Sequence, residues 1–330
     1  MIITKATAIA HSNTALIKYW GKENEDLIIP MNSSISITVD ALETITTVEF
    51  SEDYIEDAFF LNGEKQTGKA FERVIKHLNL IRKLAKNNQS TKVQSKNNFP
   101  TAAGLASSAS GFAALTLAAC EALKLDLNKK ELSMLSRQGS GSSCRSIFGG
   151  FVEWIRKDEN NDSYAQQLAG KDWLDIRDIV VVFNKIDRKW TTREAMKISK
   201  ETSPLFNSRL SIVENNLSLM RKAIQDRNFK LIGEIAEQDC LLMHAVALTS
   251  KPSQLFWTGE TLGIIKFVEA LREGGINAFF TIDTGANMHI LTLPIYVDEI
   301  KMLLNKIPYV KQIIVSKPGE GAKIIDAHLF

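Results

Sequence analysis

Pro100-Thr101-Ala102-Ala103-Gly104-Leu105-Ala106-Ser107-Ser108-Ala109 sets small side chains, one glycine and paired hydroxyls directly ahead of an alanine-rich run. That run, Ser107 to Leu125, is evenly apolar, which predicts a buried helix rather than an amphipathic surface one. A helix start offers unpaired N–H groups and the positive end of the helix dipole, and small residues let phosphate oxygens approach that backbone. The stretch therefore reads as a phosphate cradle. It is not a Walker loop, because GxxxxGK[ST] is absent and no lysine follows the glycine. The other reading is a packing helix with a serine N-cap.

Upstream of the cradle the chain alternates in short β-type runs, among them Ser34 to Val39 and Thr44 to Phe50, and reaches an Asn62-Gly63 pair suited to a type I′ hairpin. Phe71, Val74, Ile75, Leu78, Ile81 and Leu84 recur at helical spacing. Downstream, a helix is expected around Lys129 to Arg137 and a strand around Gly150 to Ile155, with a serine-glycine loop between them. Ile179 to Phe183 reads as a buried strand. Helices follow at Arg209 to Asp226, Phe229 to Leu242 and Glu260 to Arg272, then strands at Ile276 to Ile282 and Met288 to Leu293, a helix near Val297 to Leu304 and a strand near Gln312 to Val315. The pattern is α+β in two units, 1–187 and 188–330, with the junction near Asn184 to Lys189.

Composition narrows the partners. At 330 residues the chain suits two domains, and its 45% hydrophobic, 24% charged make-up is that of a globular protein. Forty basic residues against 38 acids leave a net charge of +2, which gives no electrostatic case for nucleic acid or a membrane surface, so any bound anion must meet a local cluster. Cys120, Cys144 and Cys240 show no CxxC or metal-ligand spacing, which fits a reducing compartment. Met1 to Ala10 reads as neither signal nor transit peptide, and no run approaches the ~20 apolar residues of a membrane span, so a cytoplasmic location is expected.

Four other stretches carry polar chemistry. Gly139-Ser140-Gly141-Ser142-Ser143-Cys144-Arg145-Ser146 concentrates hydroxyls around one arginine, which can grip a carboxylate or phosphate; the alternative is a flexible turn with a solvated arginine. Cys144 has no histidine near it in sequence and is not read as a nucleophile. Asn13-Thr14-Ala15-Leu16-Ile17-Lys18-Tyr19-Trp20-Gly21-Lys22 mixes two lysines with two adjacent aromatics. Asp283 stands in a turn between two strands, either as a carboxylate held at a cleft or as an Asx turn residue. Arg188, Lys189, Thr191, Thr192 and Arg193 form a basic, hydroxylated run at the junction, of the kind usually found as a solvated loop.

Taken together and in this order, the Asn13 to Lys22, Pro100 to Ala109, Gly139 to Ser146 and Asp283-Thr284-Gly285-Ala286-Asn287 stretches resemble the mevalonate diphosphate decarboxylases of the GHMP kinase superfamily. The KYWGK and GSGSxxRS stretches are the specific part; the superfamily shares the phosphate loop broadly. Thr284 and Ala286 stand where the family commonly has Ala and Pro, and threonines stand where serines often bind the diphosphate.

The resemblance implies an N-terminal domain of the ribosomal protein S5-like type, a ferredoxin-like C-terminal domain and an active site in the cleft between them. It also implies a homodimer acting on a small-molecule substrate with ATP and Mg²⁺. By carry-over, Gly104, Leu105, Ala106, Ser107 and Ser108 would hold ATP phosphates, Ser95 and Asn97 would lie near the nucleoside, and Arg188 or Lys189 would reach the phosphates. Ser140, Gly141, Ser142 and Arg145 would orient the acid substrate, while Tyr19, Lys22, Thr192 and Arg193 would take its diphosphate. Asp283, Arg145, Lys18 and Asn13 would be catalytic, with Asp283 accepting the hydroxyl proton and Lys18 or Arg145 keeping it ionised. Alternatives within reach of the sequence are a GHMP kinase that stops at the phosphorylated acid, a decarboxylase of the monophosphate, and an ATP-sensing binding protein.

Overall fold

The first strand and the fourth decide how the molecule is laid out. β1 (Thr4–Ile17) and β4 (Ser34–Ser51) are long, and they pair antiparallel from Thr4↔Phe50 to Ile17↔Ile35, with register shifts between His11 and Asn13 and between Ala15 and Ile17. The two short runs expected at Ser34 to Val39 and Thr44 to Phe50 are thus one strand, because both halves keep β-branched residues on a buried face. The protein is described from a computed structural model that covers residues 4–99, 107–156, 163–183 and 189–330.

Between these strands lie β2 (Lys22–Asn24) and β3 (Ile29–Pro30), a small antiparallel pair. After β4 come β5 (Ala58–Leu61) and β6 (Glu64–Lys65), joined by Asn62 and Gly63 at φ of 51° and 88°, the two positive values that a type I′ turn requires. α1 (Gly68–Ala85), β7 (Ser90–Asn97), α2 (Ser107–Ala122), α3 (Lys129–Gly139), the single-turn α4 (Ser143–Ser146), β8 (Phe151–Ile155) and β9 (Tyr164–Ala169) complete the first half. α2 is buried as its composition predicts: Ala113, Ala114 and Ala118 share a core with Ala6, Ala8 and Ala10 of β1, and small residues on both sides let helix and sheet approach closely.

The second half contains β10 (Arg177–Val182), α5 (Thr192–Thr202), α6 (Phe206–Gln225), α7 (Phe229–Leu248), α8 (Gly259–Glu273), β11 (Ala278–Ile282), β12 (Met288–Thr292), α9 (Val297–Leu304), β13 (Gln312–Ser316) and β14 (Lys323–Ile325). Its sheet runs β11-β12-β10-β13, antiparallel throughout, the strand order of a ferredoxin-like unit. β10 precedes the expected junction in sequence yet pairs within this sheet, while β14 returns to pair with β1.

Alternation along β10 explains the layering. Ile179 and Val181 pack with Ile264, Val268 and Ile300 of α8 and α9. Val180 and Val182 face the other way, into a core with Leu217 and Ile232 of α6 and α7 and with Leu16, Ile17, Ile35 and Ile37 of the first sheet. Each such fully buried aliphatic contributes about 1.5–3 kcal/mol. The two halves therefore share a core, and the ends of β1 and β11 meet beside it.

Candidate functional site

Lys18 follows directly on β1, and its backbone is clamped before its side chain acts. The Lys18 N–H donates to Asp239 Oδ2 at 2.6 Å, and its carbonyl accepts from Arg209 Nη2 and Asn32 Nδ2, each at 3.0 Å. Arg209 and Asp239 are themselves a buried ion pair joining α6 to α7. From this anchorage Lys18 Nζ reaches Asp283 Oδ1 at 2.6 Å. The Asp283 side chain is 30% exposed, against 3% for Lys18, so one carboxylate edge faces outward. Burial works against its charge, but Lys18, His289 and Arg145 outweigh burial and hold the carboxyl below its ordinary range. Asp283 is thus an ion-paired, partly exposed carboxylate.

Arg145 is the second charge. It lies in α4, inside the stretch that sequence alone leaves open as a flexible turn; the turn is helical and Arg145 is 2% exposed. Its Nη1 donates to Ser34 Oγ at 2.6 Å, Nε to Ser36 Oγ at 2.9 Å and Nη2 to Asn13 Oδ1 at 3.0 Å. Asn13 Nδ2 donates in turn to Ser146 Oγ at 2.8 Å and to the Ser142 carbonyl at 3.0 Å, so the amide orients both the guanidinium and its loop. Among the described residues no carboxylate ion-pairs with Arg145. Burial lowers its proton affinity, and Cys144, Asp283 and Tyr19 oppose that. A buried guanidinium held by neutral oxygens is a socket for an anion from outside.

Around Arg145 the loop is tight. A Cβ on Gly141 would stand 2.8 Å from Tyr19 Cε1 and 2.9 Å from Trp154, so glycine is needed for those rings to close on it. Tyr19 packs edge-on to Trp154 at 4.6 Å, and its buried hydroxyl has no hydrogen-bond partner among the described residues. Burial, helped by Glu25, pushes the phenol's pKa up, which keeps it neutral. Cys144 donates to the Gly141 carbonyl at 3.1 Å and burial pushes its thiol up to about 12, which excludes a thiolate nucleophile.

Ser108, in the first turn of α2, meets Ser140 hydroxyl to hydroxyl at 3.0 Å, which joins the cradle helix to the serine loop. Ser107 begins α2 beside it. Gly104, Leu105, Ala106 and Arg188 lie outside the described residues. Ser95 and Asn97 sit on β7 with their side chains engaged inward, Ser95 with Thr46 at 2.8 Å and Asn97 with Thr44 at 2.7 Å; Thr44 bonds on to Ser110 of α2 at 2.7 Å. Asn97 thus backs α2 through Thr44, while Ser95 is held within the sheet. Lys189 is exposed, its ammonium 5.2 Å over the Trp190 ring.

Thr192 and Arg193, in a run of the kind usually found as a solvated loop, open α5. Thr191 and Glu194 form a capping box that starts the helix there. Arg193 Nη2 donates to the Gly139 carbonyl at 3.0 Å, where Arg73 of α1 also donates through Nε and Nη2 at 3.1 and 2.9 Å. Thr192 Oγ1 lies 2.7 Å from Thr284 Oγ1, next to Asp283. Lys22 is buried, pairs with Glu25 and has its carbonyl held by Lys200 Nζ at 2.8 Å. Lys18, Asp283, Arg145, Asn13, Tyr19, Ser140, Ser142 and Arg193 thus come together from both halves around Asp283 and Arg145. Such a grouping can bind a polyanion, orient a carboxylate at Arg145 and take a proton at Asp283.

Sequence reasoning missed Asp239 and Arg209, which carry no local signal, and Ser34 and Ser36. The serines did leave one. Their alternation with Ile35 and Ile37 marks a polar face, which here points inward to Arg145. Among the described residues no group of three or more His, Cys, Asp or Glu side chains is arranged to hold a metal ion, and no helix is long and apolar enough to cross a membrane.

Comparison with known proteins follows the same division. Residues 10–165 match the diphosphomevalonate decarboxylase-like N-terminal domain, and residues 178–317 match the mevalonate 5-diphosphate decarboxylase C-terminal domain. Diphosphomevalonate decarboxylase of Ganoderma lucidum is 36% identical over 330 residues, covering 93% of this chain and 82% of that protein. The human protein of that name is 36% identical over 316 residues, covering 88% and 77%. Of solved structures, mevalonate diphosphate decarboxylase from Staphylococcus aureus superposes with a TM-score of 0.94 at 40% identity, covering 98% of each chain. One of the enzyme from Enterococcus faecalis, concerned with mevalonate diphosphate mediated ATP binding, gives 0.93 at 40% identity, covering 98% and 100%. Another with the same values is described as "MDDEF in complex with MVAPP, AMPPCP and Magnesium".

Proposed function

Since this chain belongs to the mevalonate diphosphate decarboxylase family, we propose that it converts mevalonate 5-diphosphate and ATP to isopentenyl diphosphate, ADP, phosphate and CO₂. The observation that carries this reading is the pairing of two unlike groups in one region: an ionised carboxylate, Asp283, tied to Lys18 at 2.6 Å, and a buried guanidinium, Arg145, with no carboxylate of its own among the described residues.

A tertiary hydroxyl is a poor leaving group, so the chemistry needs it phosphorylated before CO₂ departs. In our reading Asp283 orients the 3-hydroxyl and accepts its proton as the γ-phosphoryl group of MgATP is transferred. Lys18 keeps that carboxylate charged and neutralises charge gathering on the transferred group. Arg145, aimed by Asn13, Ser34 and Ser36, holds the substrate carboxylate. When the new phosphate leaves, the carbon–carboxylate bond breaks and its electron pair forms the alkene. Ser140, Gly141 and Ser142 shape the pocket for the acid, and Tyr19, Lys22, Thr192 and Arg193 take the diphosphate. Gly104 to Ser108 cradle the ATP phosphates, with Arg188 or Lys189 closing on them and Ser95 and Asn97 supporting the nucleoside side. Mg²⁺ enters as part of the nucleotide substrate. We extend the reading to a cytoplasmic homodimer.

The test uses purified protein with MgATP and either mevalonate monophosphate or diphosphate, measuring ADP and CO₂ together. Two cations and two hydroxyls exceed what one phosphate needs, and charge-assisted contacts contribute about 1.5–3 kcal/mol each. The diphosphate should therefore be preferred at least ~10-fold, with ADP and CO₂ in equal amounts. ADP without CO₂ would indicate a kinase, and faster CO₂ release from the monophosphate would overturn the substrate.

A further inference from the structure

Behind Lys18 and Asp283, three buried polar side chains from three strands form a closed network that the mechanism above does not use. Thr14 Oγ1 donates to Asp178 Oδ2 at 2.6 Å, and His289 Nδ1 lies 2.9 and 3.1 Å from the two Asp178 oxygens and 3.2 Å from the Thr14 hydroxyl. All three are at most 4% exposed. Thr14 belongs to β1, Asp178 to β10 and His289 to β12, so the network ties the first sheet to the second.

Its position along β1 gives it a consequence. Asn13 points into the serine loop and aims Arg145; its neighbour Thr14 points into the second sheet; four residues on, Lys18 meets Asp283. On the facing side, His289 is the register partner of Thr281, two residues before Asp283, and the Thr281 hydroxyl also reaches β1, at the Ala15 carbonyl, at 3.3 Å. We propose that Asp178 and His289 are positioning residues: by locking β10 and β12 onto β1 they fix where Asp283 stands relative to Lys18 and Arg145, and the His289 imidazolium adds to the positive field that keeps Asp283 ionised.

The charges around His289 support a protonated ring. Asp178 faces it from β10, Asp283 from the turn after β11 and Lys18 from the end of β1, while His244 of α7, pushed down to about 3 by burial and Lys18, is neutral. Burial opposes the imidazolium, but Asp178 and Asp283 outweigh it and raise its proton affinity above that of an ordinary histidine. The carboxylate contact calls for a hydrogen on Nδ1, which the imidazolium and the neutral Nδ1–H tautomer both carry.

The kinetic consequence rests on the phosphoryl-transfer reading, whereas the electrostatic one does not, and the experiment separates them. Histidine-labelled protein is titrated by NMR, with His289 assigned by its loss in His289→Gln or, should that variant not fold, in His289→Lys. His289 should titrate above the ordinary midpoint of about 6.5, and its midpoint should fall in both Asp178→Asn and Asp283→Asn. A midpoint at or below the ordinary value, or one unmoved by Asp283→Asn, overturns the proposal whether or not the protein decarboxylates anything. In the kinetic arm, His289→Gln should lower kcat about tenfold while KM for mevalonate diphosphate and ATP stays within about threefold. His289→Lys, which keeps a cation, should recover most of kcat, and Thr14→Val should lose part of it. Unchanged kcat in a folded His289→Gln, or a loss the lysine does not repair, reduces the network to packing and sinks the proposal.

Discussion

Asp283 carries its charge where burial alone would remove it, and the reason is residue-level geometry: an ammonium at 2.6 Å, with His289 and Arg145 behind it. Its folded pKa lies below the unfolded one, so the carboxylate is charged throughout neutral pH and gains a proton only as pH falls through that lowered value. Two expectations follow. The acid limb of kcat between pH 5 and 7 should contain no step from Asp283, and Asp283→Asn should cut kcat by about 10²–10⁴-fold with nucleotide affinity nearly unchanged. Turnover by rapid quench and ATP binding by calorimetry check this; more than half of wild-type turnover in the variant would make Asp283 a turn residue without a chemical role.

Elements act here through their first turns. α2 begins at Ser107, and Ser108 touches Ser140 of the serine loop, so in the proposed reading hydroxyls at one helix end stand between the ATP and acid sites. Ser107→Ala with Ser108→Ala should raise KM for ATP about tenfold by removing donors beside the helix N-terminus, while the fold survives because alanine favours helix. Unaltered ATP dependence in steady-state kinetics would count against the cradle. α5 shows the same logic with a cap. The Thr191–Glu194 box fixes the backbone from which Thr192 reaches Thr284 and Arg193 reaches Gly139. Thr191→Ala should cost about 1 kcal/mol of stability and raise KM for the diphosphate substrate more than KM for ATP. Equal effects on both would show that α5 does not address the diphosphate.

At the scale of the molecule, one apolar core runs from Leu16, Ile17, Ile35 and Ile37 of the first sheet to Val180, Leu217 and Ile232 of the second half. The halves should therefore unfold together. Leu217→Ala should destabilise the protein by about 2–5 kcal/mol, with tryptophan fluorescence and circular dichroism giving coincident urea transitions in both wild type and variant; two separated transitions would refute the shared core. The same arrangement explains what could be read from one chain. Apolar patterning set out α1 by its helical spacing, α2 by its even apolarity and β10 by its continuous hydrophobic run, and α3, α6, α7, α8, α9 and the other strands of the second sheet stand close to where the sequence predicts them, because apolar residues must be buried whatever covers them. The glycine-serine stretches and Asp283 were legible too, since tight turns and helix starts restrict residue type locally. Partners were not. Lys18 and Asp283 are 265 residues apart, Asn13 and Arg145 132, and Thr14 and Asp178 164. Nothing in the local sequence of either member of these pairs names the other. Whether Ser34 and Ser36 face water or a guanidinium, and whether Asp178 and His289 are solvated or paired, was decided when β1 was clamped between the two sheets, because a buried charge survives only where the fold brings a partner to it.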